Sequence, residues 1–161
     1  MSDKKIPLSQ EQLEKLVSGL MKGATVAQAT GMKPDTLENL YALAHNLYTS
    51  GNFHDAQIVF QALCLYNAGD YRFWMGLAGC RQAQEQYQAA IDAYQMAAIS
   101  TQLKNPEPFL FSARCLLKLG RKDDCIVAIR ALLKLGNPND PRHVQCHEKA
   151  QALLALLEKD E

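Results

Sequence analysis

Gly51-Asn-Phe53-x-x-Ala56-x-x-x-Phe60-x-x-Leu63 is the stretch that decides the fold, because the chain writes it three times. It returns 34 residues later as Glu85-Gln-Tyr87-x-x-Ala90-x-x-x-Tyr94-x-x-Ala97. After a further 35 it returns again, worn, as Gly120-Arg-Lys122-x-x-Cys125-x-x-x-Ile129-x-x-Leu132. Upstream of each copy lies a second matching segment: Leu40-x-x-Leu43-Ala44, Trp74-x-x-Leu77-Ala78 and Phe109-x-x-Ser112-Ala113. Spacings of three and four place these apolar side chains on one face of a helix. A helix-turn-helix unit of this length cannot bury its apolar face alone, whereas stacked copies can.

Period and residue types together are those of tetratricopeptide repeats. The chain is therefore expected to be all-α, with three tandem repeats at 36–69, 70–104 and 105–136 forming a solenoid whose concave face takes extended peptides. Residues 1–35 precede the array. A loose tail reaches to about residue 8. Ser9 and Gln12 then have capping-box spacing, and Leu13, Leu16, Val17 and Leu20 make the stripe of an amphipathic helix ending near Gly23. A helical turn over Val26 to Ala29 follows, Gly31 breaks it, and Pro34-Asp35-x-x-Glu38 reads as the cap of the first repeat. Residues 137–161 follow the array. Asn137-Pro-Asn-Asp140-Pro141 starts a last helix whose stripe, His143, Cys146, His147, Ala150, Leu153, Leu154 and Leu157, suits a cap over the final repeat.

At 161 residues the chain can bury roughly 68–70% of its unfolded surface. Lys plus Arg equal Asp plus Glu at 17 each, so net charge encodes no long-range attraction to nucleic acid or acidic lipid. No apolar run reaches transmembrane length, and Met1-Ser-Asp-Lys-Lys-Ile-Pro leads into a polar helix without a signal-peptide core. The chain is expected to stay in the compartment where it is made. Five cysteines without CxxC spacing fit reduced thiols in a cytosol. Cys80 and Cys115 hold equivalent repeat positions, and Cys125 stands where Ala56 and Ala90 do, so all three read as small buried hydrophobes.

In each repeat the first helix packs on its partner through one stripe, which in repeat one is Leu40, Leu43, Ala44 and Leu47. Positions one residue on face the groove: Tyr41, His45 and Tyr48 in repeat one, Met75, Gly79 and Gln82 in repeat two, and Leu110, Arg114 and Leu117 in repeat three. Stacked Tyr41 and Tyr48 offer flat apolar area with a polar rim, suited to a peptide. Two helical glycines together cost roughly 1–2 kcal/mol, which points to close approach of something to the backbone. Gly79 is expected on the groove floor, and Gly76 is expected to admit a neighbouring helix.

Asp35-Thr-Leu-Glu-Asn-Leu-Tyr41-Ala-Leu-Ala, Phe60-Gln-Ala-Leu-Cys64, Gly76-Leu-Ala-Gly-Cys80-Arg-Gln and Ala113-Arg-Cys115-Leu-Leu resemble the class II, or translocator, chaperones of bacterial type III secretion, the LcrH/SycD group. The resemblance is dense from about residue 23 to 120 and includes Gly23-Ala-Thr25. It implies a chaperone of the bacterial cytoplasm that keeps two hydrophobic pore-forming translocators soluble and apart before export. It implies an extended partner segment of the form Pro-x-Leu-x-x-Pro in the concave face, with Tyr41, His45 and Tyr48 at groove positions, His45 standing where relatives often carry Phe. It also implies a homodimer, for which Leu13, Leu16, Val17 and Leu20 are the candidate contacts, and a transcription activator as a further partner. The linker Tyr66-Asn-Ala-Gly-Asp70 and the segment after Arg121 depart from the family pattern.

Three other readings are weaker. A tetratricopeptide adaptor that grips a free carboxyl terminus needs Lys and Asn side chains in its groove, but those places hold Tyr41, His45, Gly76, Glu107 and Phe111. A generic adaptor or regulator without a secretion role is the alternative that remains. A metal site on His143-x-x-Cys146-His147 lacks an evident fourth ligand, and its face continues into Ala150, Leu153 and Leu154. No nucleophile–base constellation, phosphate loop or carboxylate pair is visible, so neither a catalytic residue nor a cofactor is expected.

Overall fold

The computed structural model describes residues 9–159; the amino-terminal tail expected before residue 8 lies outside the described residues. Among them are nine helices: α1 (Gln10–Met21), α2 (Val26–Ala29), α3 (Pro34–Thr49), α4 (Phe53–Tyr66), α5 (Tyr71–Ala83), α6 (Tyr87–Ser100), α7 (Glu107–Lys118), α8 (Lys122–Leu132) and α9 (Pro141–Lys159). From α3 to α8 each helix packs on the next, and α9 closes the array against α8 and α7, while α2 packs on α1 and touches α4.

Local chemistry sets the ends. The Ser9 hydroxyl accepts the Gln12 N–H at 3.2 Å while the Gln12 carbonyl oxygen accepts the Ser9 N–H at 2.9 Å. Thr25 and Gln28 repeat this capping box ahead of α2. Asp70 and Asp140 accept N–H groups of Arg72 and Arg142 at the starts of α5 and α9, each at 2.9 Å. The cap expected from Asp35 and Glu38 does not form: Lys33 is the residue before α3 and makes no side-chain cap bond. The Glu38 carboxylate instead takes both terminal nitrogens of Arg72, at 2.7 and 3.1 Å, because the next repeat brings that guanidinium within reach.

Between paired helices the chain turns at Gly51 (φ +84°), Glu85 (φ +60°) and Gly120 (φ +73°). Glycine meets this left-handed requirement freely, whereas Glu85 bears roughly 1 kcal/mol of strain.

Small residues hold the helices close. Ala44, Ala56, Ala78, Ala90, Ala113 and Cys125 are each fully buried, one pair per repeat. Phe60, Tyr94 and Ile129 fill the layer beside them, with Leu63, Ala97 and Leu132 below. The expected stripe of α3 needs one correction: Leu43 is 48% exposed, although its counterparts Leu77 and Ser112 are buried. A preceding repeat covers those two, and α3 has none. The α1 helix does not take that place, because it packs on α2.

At Gly76 a built Cβ would overlap the Phe60 ring, so the glycine is what lets Phe60 of α4 reach α5. At Gly79 a Cβ would meet the Tyr48 ring at 3.5 Å, an ordinary contact. The two glycines should therefore respond oppositely to alanine. Gly76→Ala is expected to destabilise by about 1–3 kcal/mol through overpacking, and Gly79→Ala to leave stability equal or raise it by about 0.5–1 kcal/mol. Thermal unfolding of the two variants checks this; equal melting temperatures would refute the overlap at Gly76.

Candidate functional site

On the concave face of α3, α5 and α7 lies an open cavity of about 330 Å³. Tyr41, His45 and Tyr48 line it from α3, and Tyr71, Arg72, Met75, Gly76 and Gly79 from α5. Phe60 of α4, Tyr94 of α6 and Phe111 of α7 complete the lining. A second depression, of about 280 Å³, shares Tyr48, Gly79, Tyr94 and Phe111 with the first and continues past Gln82, Ala83, Tyr87 and Lys118. The groove is thus an aromatic trough with a more polar extension toward the carboxyl-terminal ends of α3, α5 and α7, where Gln82 and Lys118 lie.

Aromatic packing fixes its floor. The Tyr41 ring lies 6.1 Å from Phe60, edge to face, and 5.9 Å from Phe73. The Arg72 guanidinium sits 4.8 Å from the Tyr41 ring centroid. Arg72 is held there by Glu38 and by Asp70, whose Oδ2 is 2.8 Å from its Nη2. This exposed network adds little to stability; its structural effect is to fix where the cation stacks. Tyr94 stacks on Phe111 at 5.5 Å with an interplanar angle of 14°. Phe60 and Gly76, where repeat one meets repeat two, hold the places that Tyr94 and Phe111 hold where repeat two meets repeat three. One pair solves the crossing with a glycine and the other with a stack.

Two of the phenols that line the trough are paired across helices. Tyr71 donates to Glu107 Oε2 at 2.8 Å, tying α5 to α7, and Tyr94 donates to Gln82 Oε1 at 2.7 Å. Burial pushes both phenols well above the usual range, and the Glu107 carboxylate raises Tyr71 further, so both stay neutral hydrogen-bond donors.

The groove positions expected from sequence divide in two. Tyr41, His45, Tyr48, Met75 and Gly79 line the main cavity, and Gln82 lines the second depression. Repeat three departs from expectation. Leu110 is 4% exposed and belongs to the core, Leu117 is half-buried against the same core, and Phe111 takes the groove place. Arg114 is exposed, its guanidinium 5.6 Å from the Phe111 ring. On α7 the lining is Phe111 and Lys118, one residue on from the expected Leu110 and Leu117 and at the places that Gly76 and Ala83 fill on α5, with Arg114 beside them. Tyr71, Arg72 and Tyr94 also line the cavity and were not among the groove positions. Only the aromatic at the shared place of Phe60 and Tyr94 carried a repeat-level signal.

The His143, Cys146, His147 cluster joins α9 to the loop before it. His143 Nδ1 accepts the Asn137 N–H at 2.9 Å, and His147 Nε2 lies 2.8 Å from the Leu135 carbonyl oxygen. Cys146 is buried between them in sequence, on the same stripe as Ala150. Leu13, Val17 and Leu20 of α1 are each at least 41% exposed and Leu16 is half-buried, so this stripe is largely uncovered within one chain.

A 9-helix array of stacked pairs with an aromatic concave trough defines a peptide-binding repeat protein, and the tetratricopeptide repeat family profile matches residues 41–108. The low calcium response locus protein H of Yersinia pestis is 45% identical over 112 residues, covering 70% of this chain and 66% of that protein. The Yersinia enterocolitica type III secretion translocator chaperone SycD superposes with a TM-score of 0.76 at 36% identity, over 83% of this chain and 98% of that one. The same chaperone in complex with a peptide of the translocator YopD gives 0.73 at 37% identity, over 81% and 98%. The chain belongs to the family of type III secretion translocator chaperones.

All five cysteines are buried and unpaired in disulfides. Burial pushes Cys64 up to about 12 and Cys80, Cys115 and Cys146 up to about 11, from an ordinary 9.0. The unfolded chain therefore loses thiol protons first as pH rises. This contribution to stability is intact below pH 9 and falls away between pH 9 and about 11. Iodoacetamide at pH 8 is expected to label none of the four in the native protein within minutes and all five cysteines in guanidinium chloride. Rapid native labelling of any of the four would contradict the burial.

Proposed function

We propose that the protein is a chaperone of the bacterial cytoplasm that holds hydrophobic translocators of a type III secretion system, two of them separately, before export. The observation that carries this is the open aromatic trough lined by Tyr41, Tyr48, Met75 and Phe111. Its occupant is an extended segment of the Pro-x-Leu-x-x-Pro type, whose prolines pre-set the backbone and whose apolar side chains fill the trough. On this reading the protein binds and releases, with no chemical step. The functional units are the repeats 36–69, 70–104 and 105–136, with 1–35 and 137–161 as flanking elements. Among the described residues no helix is long and apolar enough to cross a membrane, which agrees with a soluble carrier.

Three apolar anchors bury about 1.5–3 kcal/mol each, roughly 5–9 kcal/mol together. Ordering the segment removes about 2–5 kcal/mol. A motif peptide alone therefore binds weakly, on the order of 10 μM to millimolar, and the rest of the translocator supplies the remaining affinity. Calorimetric titration of the full chain with such a peptide tests the groove. Tyr48→Ala is expected to weaken binding about tenfold or more while unfolding stays cooperative, and a peptide with its three anchors changed to alanine is expected not to bind. Unaltered affinity in either control would place the ligand elsewhere.

The uncovered stripe of α1 supports a homodimer built through Leu13, Leu16, Val17 and Leu20. Light scattering coupled to gel filtration should give about twice the 17.9 kDa of one chain. The double substitution Leu16→Glu, Leu20→Glu is expected to halve it. A wild-type protein of single-chain mass at tens of micromolar would refute this dimer.

A further inference from the structure

The two ends of the groove differ in charge. Where repeats one and two meet, Arg72 of α5 is neutralised by Glu38 and Asp70. At the repeat-three end Arg114 and Lys118 stand at i and i+4 on α7, and among the described residues neither has a carboxylate within 4.0 Å. Glu107, the carboxylate further along the same stripe, is taken by the Tyr71 hydroxyl and lies seven residues before Arg114, about 10 Å along the helix axis.

Comparison of the repeats shows that the fold does not require these cations. Arg114 stands where Gly79 and His45 stand in repeats two and one, and Lys118 where Ala83 and Thr49 stand. Helix pairing is the same in all three, so the charges are an addition of repeat three. They border the trough: Arg114 lies over the Phe111 ring and Lys118 lines the second depression with Gln82. Gln82 gives its carbonyl oxygen to Tyr94 and keeps its NH2 as a donor.

We propose that the repeat-three end of the groove is a subsite for a carboxylate side chain of the bound segment, adjacent to its apolar anchors, with Arg114 and Lys118 supplying charge and Gln82 a hydrogen-bond donor. The subsite rests on the groove reading above and adds to it a direction. With cations free at one end only, an acidic residue on one flank of the segment aligns it, and the same residue on the other flank meets Glu38 and Asp70 already paired with Arg72. Complementary charge at the rim of an apolar site acts chiefly on orientation and on the encounter rate.

The experiment uses the full chain and fluorescein-labelled synthetic peptides. Each carries Pro-x-Leu-x-x-Pro with a Glu pair or a Gln pair placed either before the first proline or after the last, and binding is read by anisotropy at 50 and 500 mM NaCl. On one flank the Glu peptide is expected to bind about three- to tenfold more tightly than its Gln counterpart at 50 mM, with the gap closing at 500 mM as screening shortens to a few ångströms. Lys118→Glu should abolish or invert the Glu-to-Gln ratio and Lys118→Gln should leave it intermediate; the ratio is the readout, so general weakening does not count. Equal binding of Glu and Gln peptides on both flanks, a gap that ignores salt, or a ratio untouched by Lys118→Glu would overturn the subsite and leave the groove standing. Failure of every peptide to bind would overturn the groove reading and the subsite with it.

Discussion

Everything in this molecule depends on how closely its helices approach. Ala44, Ala56, Ala78, Ala90, Ala113 and Cys125 are fully buried at the crossings, and side chains of that size let neighbouring helix backbones come near the short end of their packing range. Close approach leaves the large aromatic residues beside the crossings as the next layer, and the solenoid curves so that part of that layer faces the groove. Phe60 and Tyr94 belong at once to the buried core and to the groove lining. Core packing and binding surface are one set of contacts, so the trough is rigid because the fold is.

That coupling explains the two treatments of one repeat position. Where Phe60 must pass α5, the chain uses Gly76 and loses the side chain there. Where Tyr94 meets α7, it keeps a side chain and stacks Phe111 on the ring. The first choice deepens the trough in its middle and the second raises a wall at its far end. Tyr71 and Tyr94 both donate to neighbours across helices, which leaves Tyr41, His45 and Tyr48 of α3 to offer polar atoms to a bound segment.

The ends of the array follow from the same geometry. A stacked repeat buries its neighbour's outer face, so the first and last repeats are each short of one cover. At the carboxyl end α9 supplies it with a stripe from His143 to Leu157, and two histidines and Asn137 fasten the connecting loop. At the amino end no helix among the described residues covers Leu43, and α1 adds more exposed apolar surface beside α2. The molecule is thus closed at one end and open at the other.

The helical array was legible in the sequence, because it rests on spacing along one helix or on a cap within four residues. Ser9 with Gln12 and the stripe from His143 to Leu157 are local in this sense. What depended on the relation between repeats was not legible. The loss of the Glu38 cap to Arg72, the exposure of Leu43 and the rotation of the groove stripe from Leu110 to Phe111 each need the position of a helix roughly one repeat away. Periodicity tells which residues share a face of their own helix. Only the tertiary structure decides which way that face points, because the rotation between successive repeats comes from side-chain packing between helices and is written in no single one of them.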